Sequence, residues 1–183
     1  MVIAAQRFIA GVAMAAGALG WVVGAGPIGP AAAQTGTTAA EMIGAWEIRC
    51  ETPPGAPSEI CAMLQIVNAQ DRQNISLAVA IRKLTVQENG QARQLDLLRI
   101  QTPLGLLLPS GVGLLVDGEQ VGRVPYTRCV PNRCVVELPL TPELLARFKA
   151  GNDAIFTVFQ TPEEGIGIPI SLNGFSAAYD RLK

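Results

Sequence analysis

Four cysteines and no histidine define the chemistry open to this 183-residue chain. Thiolates can hold a metal, exchange electrons or be joined as disulfides, and Cys50, Cys61, Cys129 and Cys134 must be read against those three uses. Structural zinc sites draw their cysteines in close pairs, about two to four residues apart. Here ten residues intervene between Cys50 and Cys61. A redox pair calls for Cys-x-x-Cys at the start of a helix, where the thiolate is stabilised. Neither pair has that spacing, and both lie beside strand-like sequence. Structural disulfides fit better, since an even cysteine count in an exported chain is their usual pattern. Three connectivities are open, and pairing of neighbours, Cys50–Cys61 and Cys129–Cys134, is preferred from the spacing. In "YTRCVPNRC" the residues Val130-Pro131-Asn132-Arg133 read as a turn, so Cys129 and Cys134 leave it facing each other. Facing Cα atoms of an antiparallel pair lie about 4.5–5.5 Å apart, within reach of a disulfide.

Without histidine there is no Ser–His or Cys–His nucleophile and no imidazole metal ligand. Lys83 and Lys149 leave a Ser–Lys arrangement formally open, but no Ser-x-x-Lys motif occurs. The carboxylates are scattered: Glu163-Glu164 fall in a turn, and Asp117 precedes Gly118 in another. "GLLLPSGVG" carries glycines but lacks the cations of a phosphate-binding loop. The expectation is a protein that is not an enzyme and needs no cofactor or metal. An envelope redox protein or enzyme using a cysteine pair or a serine is the competing reading, and a small-ligand carrier with a pocket lined from Leu104 to Leu115 is a third.

The chain opens with one cation, Arg7, followed by an uncharged apolar run from Phe8 to Val23 and then glycines and prolines. Ala31, Ala32 and Ala33 put small residues where a signal peptidase cuts, so residues 1–33 read as a secretory signal cleaved between Ala33 and Gln34. Four glycines, Gly11, Gly17, Gly20 and Gly24, argue against a retained membrane anchor. Removing 33 of 183 residues leaves 150, enough for one core and one domain. That portion carries 13 basic and 15 acidic residues, with no basic block to recruit nucleic acid or anionic lipid. Arg123, Arg128 and Arg133 are spread through a turn region and read as a solvated face. The run Ile100 to Val116 has no charge but is cut by Pro103, Pro109 and three glycines, so it is not a membrane span. It reads as two short strands around Pro109-Ser110-Gly111.

The remaining texture is that of strands. Residues 34–40 are a small, polar leader, and a single domain is expected over 41–183. "WEIRC" alternates Trp46, Ile48 and Cys50 with Glu47 and Arg49, the period of a half-buried strand. Glu51 to Glu59 carries three prolines and a glycine and is a loop. A pair of buried strands follows, "ICAMLQIV" from Ile60 and "NISLAVAIR" from Asn74, joined by the polar turn Asn68 to Gln73. Asn89-Gly90 and Asp117-Gly118 mark tight hairpins. One segment breaks the period: Thr141 as N-cap, Pro142 at the first helical position, an apolar stripe of Leu144, Leu145 and Phe148, and Gly151 or Asn152 as stop. A final pair of strands runs through "AIFTVFQ" and "GIGIPISLNGF", and "SAAYDRL" is a candidate for a closing helical turn. Eight or nine short strands and one short helix predict a mainly all-β antiparallel β-sandwich. An outer-membrane barrel is the runner-up, disfavoured because the strands read as too short.

Taken in order, "WEIRC", "CAMLQ", "PLGLLLPSGVGLLVDG", "PYTRCVPNRC" and "ISLNGFSAAYDRL" resemble the invasion-associated locus B family of exported bacterial proteins, from Glu41 to Leu182. The resemblance implies an immunoglobulin-like β-sandwich, periplasmic or envelope-associated, with no catalytic residues to carry over. It implies action by binding an envelope or extracellular protein, and support of host-cell invasion or adhesion where the source is a pathogen. Its members also occur in free-living bacteria, so invasion does not follow from the likeness alone. Candidate contact features are the loop "PLGLLLPSGVG" and "SLNGF" (Ser171 to Phe175), set against a plainer reading as core packing and turn geometry.

Overall fold

A computed structural model describes residues 40–182 apart from 56, 57, 71 and 73. The expected signal, its cleavage residues Ala31, Ala33 and Gln34, and nearly all of the leader lie outside the described residues.

Eleven strands form two antiparallel sheets among the described residues. In chain order they are β1 (Glu41–Ile43), β2 (Trp46–Glu51), β3 (Ile60–Asn68), β4 (Ser76–Glu88), β5 (Gln91–Thr102), β6 (Val112–Val116), β7 (Glu119–Val124), β8 (Arg128–Val130), β9 (Arg133–Pro139), β10 (Asp153–Phe159) and β11 (Gly165–Ser171). The larger sheet has the order β1-β2-β3-β4-β5-β9-β8, and the smaller has β11-β10-β6-β7. Side chains of both sheets meet in one buried cluster, with Trp46, Met63, Val79 and Ile100 from the larger and Phe156 and Ile168 from the smaller. The architecture is therefore the expected antiparallel β-sandwich, immunoglobulin-like in its two layers over one core. Each sheet ends in separate edge strands, so no barrel closes.

Three details differ from expectation. The β4–β5 hairpin is long, with strands of 13 and 12 residues, because the polar stretch around Asn89-Gly90 continues the ladder beyond the core. Leu104 to Leu107 form no strand: Ile100 and Thr102 end β5, and a 3₁₀ turn at Leu108–Ser110 leads into β6. A second helix is present where one was expected, α2 (Phe175–Arg181) joining α1 (Pro142–Ala150). It is short enough for its apolar face, Phe175, Ala178 and Tyr179, to be read as a closing turn, yet all three are buried.

Local chemistry explains the connections. Asn89 and Gly90 have φ of 52° and 78°, and Asp117 and Gly118 have 47° and 82°, the left-handed pairs that a two-residue hairpin requires. The Thr141 hydroxyl accepts from Leu144 N at 3.3 Å, Pro142 takes the first helical position, and Gly151 N donates to Arg147 O, closing α1 as its sequence dictates. The Gln65 amide donates to Ser171 O and accepts from Ser171 N, both at 3.0 Å, so a side chain of the larger sheet stands in for a strand beside β11.

Candidate functional site

Cys50 and Cys61 are register partners of β2 and β3, and Cys129 and Cys134 are register partners of β8 and β9. Their sulfur atoms stand 2.09 and 1.93 Å apart, at disulfide distance, with Cα atoms 4.0 Å apart in both pairs. The Glu59 carboxylate lies within 4.8 Å of both sulfurs of the first pair. A metal there would need thiolates, and sulfurs at bonding distance from each other have none to offer.

The other sequence candidates fall to structural duties. "SLNGF" is a turn locked against β1: Gly174 adopts φ of 81°, and a Cβ there would meet Ile43 O at 2.5 Å. Phe175 is buried, edge-on to both Trp46 and Phe148 at centroid distances of 5.4 Å. The loop "PLGLLLPSGVG" is mixed. Leu104 and Leu108 are exposed, while Val112 and Leu114 enter the core beside Phe156. The sandwich interior at this point is filled by side chains. Lys83 donates to Leu182 O, Lys149 pairs with Asp180, and the two ammonium groups stand 4.6 and 4.7 Å from the Tyr179 ring centroid. The Tyr179 hydroxyl donates to Asp96, and burial together with that carboxylate pushes its pKa up. This cluster anchors α2 on β4 and β5 and brings neither lysine ammonium to a serine hydroxyl among the described contacts; the Ser176 hydroxyl donates to the Lys149 carbonyl instead, at 3.4 Å. Arg123 lies over the Phe159 ring on the smaller sheet, while Arg128 and Arg133 belong to strands of the larger one, where Arg128 pairs with Glu137 and Arg133 bonds Gln101.

What sequence reasoning missed is the outer face of the larger sheet. Inward residues of β3 and β4, such as Met63, Leu77, Val79 and Ile81, are buried. Their alternates Ala62, Leu64 and Ile66 on β3 and Ala78 and Ala80 on β4 form a second apolar surface, with no described layer above it. Leu64 faces Ala80, and Ile66 faces Ala78. Ile60 and Ile66 are exposed. The floor opens as a hollow of about 270 Å³ bounded by Arg49, Arg82, Arg99 and Gln101, with one carboxylate, Glu51, at its rim. Arg49 forms a two-pronged pair with Glu47 at 2.7 and 2.9 Å. Arg99 Nε donates to Glu137 at 2.7 Å, and Arg128 reaches the same carboxylate at 3.5 Å. Arg82 differs: its Nε is buried with no hydrogen-bond partner. Burial presses its pKa down, the charge of Arg99 adds to that, and Glu137 partly opposes it. A signal existed in "ICAMLQIV", where both faces of a strand read apolar although a half-solvated sheet alternates.

Comparison with known proteins bears on the whole domain. Two curated relatives, the invasion protein B homologs of Brucella abortus strain 2308 and of Brucella abortus biovar 1 strain 9-941, are each 26% identical over 140 residues, covering 75% of either chain. The crystal structure of invasion associated protein b from Bartonella henselae superposes with a TM-score of 0.60 at 22% identity, over 79% of this chain and 95% of that one, which shows a shared fold. The family described as invasion associated locus B (IalB) protein matches residues 46–183, and the chain belongs to that family.

Proposed function

We propose that this chain is an exported, non-catalytic protein of the periplasm or cell envelope that acts by binding another protein. The signal reading of residues 1–33 supplies the route, and both cysteine pairs are disulfides formed on arrival in an oxidising compartment. One observation carries the reading: the side chains best suited to chemistry are engaged with one another. The four sulfurs stand in bonding pairs, and Lys83 and Lys149 are held by Leu182 O and Asp180. What the domain offers a partner is surface. In a pathogen, this binding supports host-cell invasion or adhesion, in keeping with the names of the Brucella relatives.

Intact mass of the protein from its native cell, before and after reduction and alkylation, tests the export and cysteine arguments together. A chain starting at Gln34 with four thiols appearing only on reduction is expected. A retained N-terminus or free thiols in the native protein would overturn both. Turnover of any substrate that depended on one side chain would overturn the non-catalytic reading.

A further inference from the structure

We propose that the outer face of the seven-stranded sheet is where the partner docks, and that the partner presents there an aspartate or glutamate side chain between apolar neighbours, received by Arg82. The inference rests on the binding reading above and adds the chemistry of what is bound.

Arg82 carries the argument. A guanidinium offers a planar fork of N–H donors matched to a carboxylate. Arg49 and Arg99 already have such partners, Glu47 and Glu137. Among the described residues no hydrogen bond or ion pair reaches Arg82, and its Nε–H is cut off from water. Arg99 adds a like charge close by. A buried donor without a partner is costly in any fold, and a neighbouring like charge adds to the cost. An incoming carboxylate offsets both, since it accepts from the part of the guanidinium that faces the hollow and screens Arg82 from Arg99.

The floor describes the rest of the occupant. Ala62, Leu64 and Ala80 are small or flat enough to admit apolar side chains on either side of the carboxylate. The exposed Ile60 and Ile66 mark the ends of the apolar strip on β3, a span of about 20 Å over six residue steps. An extended partner segment of about six residues fits that length. The chain's own N-terminal portion cannot supply the carboxylate, because no aspartate or glutamate precedes Glu41.

The test uses the full domain, ¹⁵N-labelled, and two synthetic pentapeptides, Ac-Leu-Val-Glu-Val-Leu-amide and its Gln counterpart. The Glu peptide is expected to shift the Arg82 Nε–H resonance, slow its exchange, and bind at least tenfold more tightly than the Gln peptide. Arg82→Gln, melting no lower than the parent, is expected to erase that preference, and Arg82→Lys to restore only part of it. Equal binding of the two peptides, a preference that survives Arg82→Gln, or no shift at millimolar peptide would overturn the proposal. So would free acetate matching the Glu peptide, which makes the hollow a small-anion site, or an Arg82-dependent dimer in sedimentation, which makes a second copy the occupant. A partner crosslinked in the envelope through another face, and kept by Arg82→Gln, would overturn this inference and leave the binding reading standing.

Discussion

Along β3 the inward residues Cys61, Met63 and Gln65 are at most 8% exposed, while outward Ile66 rises to 60%. Both rows are dominated by apolar or weakly polar side chains, drawn alternately from one strand. The inner row faces the smaller sheet and is closed by packing, with Trp46, Phe148 and Phe175 meeting edge to face at its end. The outer row has no such cover, and the one cation on its floor without a partner is Arg82 among the described residues. The same period-2 geometry thus yields a covered surface on one side and an uncovered one on the other. A fold can tolerate the second only because the first is so well packed.

The largest effect should come from breaking the inner face. Phe175→Ala removes a fully buried ring in contact with Trp46, Phe148 and Tyr179, and should lower unfolding stability by about 3–5 kcal/mol in denaturant titration. A loss under about 1 kcal/mol would mean that the aromatic cluster is not what closes the sandwich. Replacing Cys50 and Cys61 together with alanine frees the loop that links the strands carrying both faces. The loop-entropy argument gives a loss of about 3 kcal/mol for this pair and about 2 kcal/mol for the shorter Cys129–Cys134 loop. The order of the two losses, read from denaturation midpoints, is the sharper check.

The outer face should respond with the opposite sign. Arg82→Leu replaces an unpartnered donor and a like charge beside Arg99 with apolar surface, and should raise stability by roughly 1 kcal/mol. A destabilised variant would show that Arg82 is structural and would dissolve the contrast between the faces. The smallest effect concerns neither face. Asp117 accepts from Asn152 N and Asp153 N, both at 3.0 Å, and these bonds hold its carboxyl below the usual range. Its folded pKa is therefore depressed, so the stability it contributes is present above about pH 4 and is lost as pH falls below that. Asp117→Asn should flatten the acid limb of the pH–stability curve slightly, lowering stability a little at neutral pH and leaving it nearly unchanged at low pH.

Much of the inner face was legible because local rules and global packing agree there. Trp46, Ile48 and Cys50 alternate as a half-buried strand must, Asn89-Gly90 fixes a hairpin by its left-handed pair, and Thr141-Pro142 starts a helix by supplying a cap and a preset φ. The facing of Cys129 and Cys134 was legible for the same reason, since a turn between them makes them register partners. The loss of a strand at Leu104 to Leu107 was harder to read, because an apolar run interrupted by Pro and Gly looks alike in a loop and in a short strand. Helix α2 was underestimated because its burial depends on Trp46 and Phe148, which are distant in sequence. The outer face was misread, since apolar residues on both faces of β3 and β4 suggested strands buried on both sides, whereas Ile60 and Ile66 are exposed. Seeing it requires knowing which sheet lacks a covering layer, and that is a property of the assembled sandwich.

The most direct test of the central claim is photocrosslinking in the native cell, with a photoreactive residue placed at Ile66 on the outer face of the larger sheet or, separately, at Ile155 on the smaller one. The account predicts a discrete protein adduct from position 66 that disappears when Arg82→Gln is added, and none from position 155. Equal adducts from both positions, or an adduct at 66 indifferent to Arg82, would contradict it.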